Sequence, residues 1–215
     1  MTTARTYGDG CGVAHGLDLV GERWALLVVR ELLLGPLRFS DLRSGLPGAS
    51  PNVLSQRLRE LETVGVIRRR KLAPPAASRV YELTDHGAEL GPILTALGTW
   101  ALGSTLKPAG PLSAVSAMLT LRTYYLPADD WSAVVNVQLG DRCYAAQVAR
   151  DGVTVVADHV STADATVDTD PHTFVALLTG QRGLTEAVAA KAVRLSGDAV
   201  TVHRLLAGIS MPTTR

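Results

Sequence analysis

Residues 50–71 read SPNVLSQRLRELETVGVIRRRK. Ser50 offers a hydroxyl that can cap a helix, and Pro51 suits the first helical position. Leu54, Leu58 and Leu61 recur at helical spacing and fall within about 60° of one another at 100° per residue. Gly65 suits the residue that closes a helix. The spacing therefore predicts a helix from 51 to about 64 that buries its leucines. The opposite side holds Asn52, Gln56, Arg59 and Thr63, flanked by Ser55 and Glu60, with Val53 and Arg57 on the other shoulder. Such a face is either solvated or a reading surface. Asn and Gln can each make two hydrogen bonds to adenine and Arg two to guanine. A helix that reads DNA uses its N-terminal half, here residues 50–56.

The surroundings decide between these readings. Upstream, Val13, Leu17 and Val20 mark a first helix, and Trp24, Leu27, Val28 and Leu32 a second that Gly35-Pro36 stops. Phe39 and Leu42 mark a short third, followed by a Leu46-Pro47-Gly48 loop. Downstream, strands are expected at 66–72 and 79–83 around a Pro-stiffened tip at 73–78. Thr84 then caps a helix over 85–102 that carries Leu90, Ile93, Leu94, Leu97, Trp100 and Ala101. Four helices, a hairpin and a helix, in that order, make a winged helix-turn-helix with a trailing helix. In that setting Arg68, Arg69, Arg70 and Lys71 on the first strand and Arg79 on the second would lie along phosphates or a minor groove. They would supply affinity and salt dependence more than sequence choice. Alone, they would equally serve as an edge that resists strand-to-strand aggregation. Four like charges in a row repel unless an anion is near.

Charge distribution points the same way. The chain's net charge is only +1, yet residues 38–79 hold nine cations against three acids, Asp41, Glu60 and Glu62. Residues 112–215 hold eight cations and ten acids. A basic block in a near-neutral chain implies a local anionic partner, here double-stranded DNA. Cys11 and Cys143 lie far apart and suggest neither a disulfide framework nor a zinc site. No apolar run approaches the roughly 18 residues of a membrane span. MTTARTYGDG, at 1–10, lacks a signal-peptide core and is expected to fray, so a cytoplasmic protein without a membrane partner is expected.

Residues 103–111, GSTLKPAGP, read as a linker. Beyond it, helices are expected at 112–125, 171–178, 185–190 and 199–206. Strands are expected at 133–139, 142–149, 153–157 and 165–168, with an edge strand at 193–195. Gly140-Asp141 and Asp151-Gly152 mark turns.

Two family resemblances accompany this reading. Cys11, Gly21-Glu22-Arg23-Trp24, Leu34-Gly35-Pro36-Leu37-Arg38-Phe39-Ser40-Asp41-Leu42, the run from Leu46 to Leu61, and Tyr81-Glu82-Leu83-Thr84-Asp85-His86-Gly87 resemble the HxlR-type winged helix regulators across 11–102. Ala49 stands where Ile is common there, and Gly12 where Pro is. The resemblance implies a DNA-binding homodimer acting on transcription, with the terminal helices forming much of the dimer interface. DNA-facing roles are expected for Arg38, Ser50, Pro51, Asn52, Ser55, Gln56, Arg57, Arg59, Arg68, Arg69, Arg70, Lys71 and Arg79. In the second half, the run from Ala165 to Phe174, Leu177-Leu178-Thr179-Gly180 and Leu195-Ser196-Gly197-Asp198 resemble the sterol carrier protein type-2-like domains. That resemblance implies an apolar small-molecule effector in a tunnel; the alternative is a packing or dimerisation module without a ligand.

The expected fold is thus α+β: an N-terminal winged helix-turn-helix over 11–102, a linker at 103–111, and a C-terminal α/β sterol-carrier-like domain over 112–215. Cys11 opens the first helix, where a helix N-terminus can lower a thiol pKa; packing that helix is the commoner use. Cys143 is expected in the core. The five histidines form no ligand-spaced cluster, so no metal or cofactor is expected. Asp129-Asp130 is read as a helix start rather than a carboxylate pair, and Trp131 as a pocket wall or sheet plug. No nucleophile–base or phosphate-loop motif is present, so an enzyme is not expected. The rivals to an effector-controlled regulator are a redox switch at Cys11 and a lipid-handling enzyme or carrier.

Overall fold

In the computed structural model, which describes residues 6–72, 78–106, 109–127 and 130–212, four helices precede the first strand. They are α1 (Gly12–Val20), α2 (Ala25–Leu32), α3 (Phe39–Gly45) and α4 (Pro51–Thr63). The strands β1 (Ile67–Lys71) and β2 (Arg79–Leu83) pair antiparallel, with Ile67 opposite Leu83 and Lys71 opposite Arg79. Residues 73–77, most of the expected tip, lie outside the described residues, as do 1–5, Lys107-Pro108 of the linker and Asp129.

Val28 and Val29 of α2, Leu42 of α3, Leu54, Leu58 and Leu61 of α4, and Ile67 of β1 form the first core. Each such side chain contributes about 1.5–3 kcal/mol by leaving water. Gly65, at φ 74°, ends α4 as expected and turns the chain into the wing. Trp24 also holds a left-handed φ of 78°, costly for a bulky side chain, while its ring packs against this core. α1 behaves differently, since none of its residues is buried in this chain.

The single helix expected over 85–102 is two, α5 (Asp85–Ala88) and α6 (Leu90–Leu102). Pro92 lacks the N–H that would bond the Ala88 carbonyl, so the ladder breaks at Glu89. Thr84 caps α5 by accepting from the Gly87 N–H at 3.0 Å and donates to the Gly65 carbonyl at 2.6 Å. A Cβ on Gly87 would stand 2.0 Å from the Val66 carbonyl oxygen, so only glycine lets α5 sit against the base of the wing.

The chain divides into two units, Met1–Gly98 and Thr99–Arg215. The division falls within α6, whose Thr99 hydroxyl meets the Tyr124 hydroxyl at 3.1 Å. The second unit continues with α7 (Ala114–Tyr124), β3 (Ala133–Leu139), β4 (Arg142–Ala149), β5 (Gly152–Val156), β6 (Ala165–Thr169), α8 (Pro171–Leu178), α9 (Leu184–Ala189), β7 (Arg194–Gly197) and α10 (Ala199–Ala207). The sheet order is β5-β4-β3-β6-β7, with β3 and β6 parallel and the other pairs antiparallel. Val135, Val137 and Leu139 bury one face of β3. Asn136, on the other face and 1% exposed, bonds the Val160 carbonyl at 2.9 Å and the Val160 N–H at 3.1 Å. These two bonds pin the crossover between β5 and β6.

One expectation fails in this unit. No helix starts at Asp130, because β3 begins three residues later; its carboxylate instead lies 3.8 Å from Arg150. Trp131 precedes the strand, with the Arg204 guanidinium 4.6 Å over its ring, a cation–π contact. No helix among the described residues is long and apolar enough to cross a membrane.

Candidate nucleic-acid interface

The interface is built on α4. The Ser50 hydroxyl accepts from the Val53 N–H, and Pro51 occupies the first turn. Leu54, Leu58 and Leu61 are each at most 1% exposed. Asn52 and Arg59 are exposed, and Ser55 and Gln56 half-buried. The Arg59 side chain has no partner among the described residues.

Arg57 corrects the helical wheel. It is 9% exposed and belongs with the buried arc, which runs about 100° from Arg57 to Leu58 rather than covering the leucines alone. Its guanidinium pairs with Glu60 on the same helix and reaches Glu22, ahead of α2, at 3.6 Å. It is therefore a bolt between α4 and the α1–α2 corner, not a DNA-facing side chain. Glu60 also accepts from the Gln56 amide at 2.9 Å. Gln56 keeps its second N–H and its carbonyl oxygen, the two groups adenine recognition requires.

Carboxylates of the wing and of α4 offset the repulsion expected among Arg68, Arg69 and Arg70. Glu82 stands opposite Arg68 and bonds Arg68 Nε and Arg70 Nε, each at 2.7 Å. The Arg68 hydrogen bond, and then Arg70, hold the Glu82 carboxyl below the usual carboxylate range. On the opposite face Arg69 lies 5.6 Å over the Tyr81 ring and 2.7 Å from Glu62. Lys71 and Arg79 are different. These two exposed cations face one another directly, and neither side chain has a partner among the described residues. Like charges across a strand pair destabilise it unless an anion intervenes. Leu37 and Tyr81 exchange backbone hydrogen bonds at 2.9 and 2.8 Å, so the segment before α3 joins the wing, and Arg38 Nε donates to the Ser78 hydroxyl at 3.1 Å. Sequence reasoning missed Glu82, Glu62 and Glu22; a hairpin register alone would have placed the first across from Arg68.

Cys11 is exposed at the N-cap of α1, contrary to the packing role expected, because α1 buries none of its residues here. The N–H groups of Val13 and Ala14 lower its thiol pKa. Cys143 is only half-buried, and burial raises its pKa. Among the described residues no group of three His, Cys, Asp or Glu side chains is placed to hold a metal ion.

The HxlR-like helix-turn-helix family matches residues 19–107. Over 85 residues the chain is 42% identical to the HTH-type transcriptional regulator YvaP of Bacillus subtilis, covering 40% of this chain and 79% of that one. The chain belongs to the HxlR-like helix-turn-helix family. It is a DNA-binding transcription regulator. The second half of this HxlR-like regulator, residues 112–215, matches a different family, alkyl sulfatase C-terminal. Among solved structures, the sec-alkylsulfatase Pisa1 from Pseudomonas sp. is similar over 44% of this chain, at 17% identity and a TM-score of 0.41. The similar part is only 16% of that enzyme. Quinone-bound YodB from B. subtilis is similar over 43% of this chain and 97% of its own, at 28% identity and a TM-score of 0.38.

Proposed function

We propose that this regulator works as a homodimer whose two copies of α4 enter successive major grooves of a roughly palindromic operator. The observation that carries the reading is the polar face of α4, with Asn52 and Arg59 exposed and Ser55 and Gln56 half-buried, beside a wing that ends in Lys71 and Arg79, two cations without a side-chain partner among the described residues. The helix would read base edges, and Lys71, Arg79 and Arg38 would hold the backbone. Val13, Leu17, Ile93, Leu97 and Trp100 are 72, 42, 57, 45 and 78% exposed. They lie on the two terminal helices α1 and α6, and a second copy of the chain would bury them. Replacing Leu97 with Glu is expected to give a monomer by light scattering and to lower DNA affinity at least a hundredfold, because the second half-site loses its tether. A dimer that persists with full affinity contradicts this.

The second unit, on its sterol-carrier resemblance, would bind an apolar effector that favours one dimer conformation over another. Native mass spectrometry of gently purified protein tests this: a retained lipid-sized mass supports it, and failure to bind any fatty acid, sterol or aromatic probe contradicts it. A second reading has its own observation. The exposed Cys11 thiol, with its lowered pKa, suits reaction with oxidants or electrophiles. Limited alkylation followed by peptide mass spectrometry should modify Cys11 well before Cys143, at pH values below the ordinary thiol pKa of about 8.5. Equal rates count against a sensor role.

A further inference from the structure

Glu82 does more than neutralise charge. Its side chain is 12% exposed, while those of Arg68 and Arg70 are 63 and 50% exposed. The two arginines are alternate residues on one face of β1, about 6.8 Å apart at strand rise. One carboxylate oxygen takes the Nε–H of Arg68 and the other that of Arg70. A guanidinium has five N–H donors. Contact through Nε uses one of them, so this carboxylate leaves the Nη nitrogens of both arginines available for an anion. Without it, two like charges on flexible stems would repel and sample many rotamers. With it, they form a fork of set spacing whose three charged groups sum to +1 rather than +2.

We propose that Glu82 is a positioning residue for DNA recognition: it holds Arg68 and Arg70 as one preorganised two-guanidinium fork and trims their charge. Preorganisation lowers the ordering cost of binding a duplex whose phosphates match the fork. The trimmed charge weakens the grip on any duplex, since non-specific binding follows the number of phosphates neutralised. Glu82 therefore widens the gap between specific and random DNA. The proposal rests on the reading that the wing faces the duplex.

The test compares two duplexes across a salt series, one recovered by the wild type from a random pool and one of scrambled sequence, with a thermal melt of every variant. Glu82→Gln is expected to raise affinity for the scrambled duplex about three- to tenfold and to steepen its salt slope by up to about one. The ratio of specific to scrambled affinity should fall at least threefold. Glu82→Asp keeps the charge but withdraws the carboxylate by one methylene. It should lower the ratio while the scrambled-duplex slope stays at the wild-type value, and it carries the test if the Gln variant does not fold. In an Arg68→Gln, Arg70→Gln background, Glu82→Gln should change nothing further. An unchanged ratio in both Glu82 variants overturns the proposal, as does a full-sized Glu82→Gln effect without the two arginines. If Arg68→Gln, Arg70→Gln itself binds both duplexes like the wild type, the fork is not at the DNA and the proposal is overturned; the reading that the wing faces the duplex fails separately, if Lys71→Ala, Arg79→Ala also leaves the salt slope unchanged.

Discussion

α4 and the wing both carry cations and sort them by different means. On the helix, position around the axis sorts two arginines. Arg57 turns inward to Glu60 and Glu22, and Arg59 points out with no side-chain partner among the described residues. On the wing, register does the sorting. Arg68, Arg69 and Arg70 meet Glu82 and Glu62, and Lys71 and Arg79 meet each other. Of the nine cations between residues 38 and 79, four, Arg57, Arg68, Arg69 and Arg70, are thus held by carboxylates among the described residues. A count of basic residues overstates the charge offered to DNA; what matters is which cations lack an internal anion.

The strongest way to disturb both regions at once is at the α5 glycine packed against the turn that joins them. Gly87→Ala would drive a methyl group into the Val66 carbonyl, where α4 has just handed the chain to the wing. A loss of about 1–3 kcal/mol, or more, is expected, seen as a lowered melting temperature. Stability equal to the wild type would mean that wing and helix shift without cost.

Arg57→Ala sharpens the comparison within the helix. Breaking a fully buried pair costs about 3–5 kcal/mol, but Glu22 and Glu60 are about half exposed, so about 1–2 kcal/mol is expected after screening. The DNA salt slope should not move. A flattened slope with unchanged stability would return Arg57 to the DNA-facing set.

Within the wing, Lys71→Ala or Arg79→Ala should each flatten the salt slope by about 0.9 and weaken binding to all sequences a few-fold. Arg68→Ala should flatten it less, because Glu82 already offsets that charge. Equal slopes for Lys71 and Arg68 variants would erase the distinction between free and paired cations.

The smallest effect is in acid. The Glu82 pKa is depressed on folding, so its stabilising pairs are fully present above the unfolded carboxyl value of about 4.3. They are lost as pH falls through the lower folded value. The melting-temperature difference between wild type and Glu82→Gln should therefore be flat from neutral pH down to about 5 and shrink below that. A difference that fades near neutrality would contradict the assignment.

Much of this was legible because local chemistry coded for it. Ser50-Pro51 starts α4, Gly65 ends it, and the cation run and its return strand form the hairpin. What escaped depends on partners distant in sequence. Arg57 looks like a shoulder residue until Glu22, from the α1–α2 corner, is brought to it. Glu82 looks like one more residue of a family motif until strand pairing sets it across from Arg68. The break between α5 and α6 was written in Pro92, but the apolar spacing through Leu90, Ile93 and Leu94 masked it. Cys11 was expected to pack because an isolated cysteine usually does, and a helix that buries nothing within its own chain has no apolar periodic signature of that fact.

Selection of duplexes from a random pool, run in parallel for the wild type and for Gln56→Ala, Arg59→Ala, tests the central claim most directly. The wild type should recover inverted half-sites whose centres lie about 34–36 Å apart, roughly 10–10.5 base pairs, or a multiple of that spacing. The double variant should lose the sequence preference while keeping salt-dependent binding through the wing. Recovery of the same sites with the same affinity by both proteins would contradict the assignment of α4 as the reading helix.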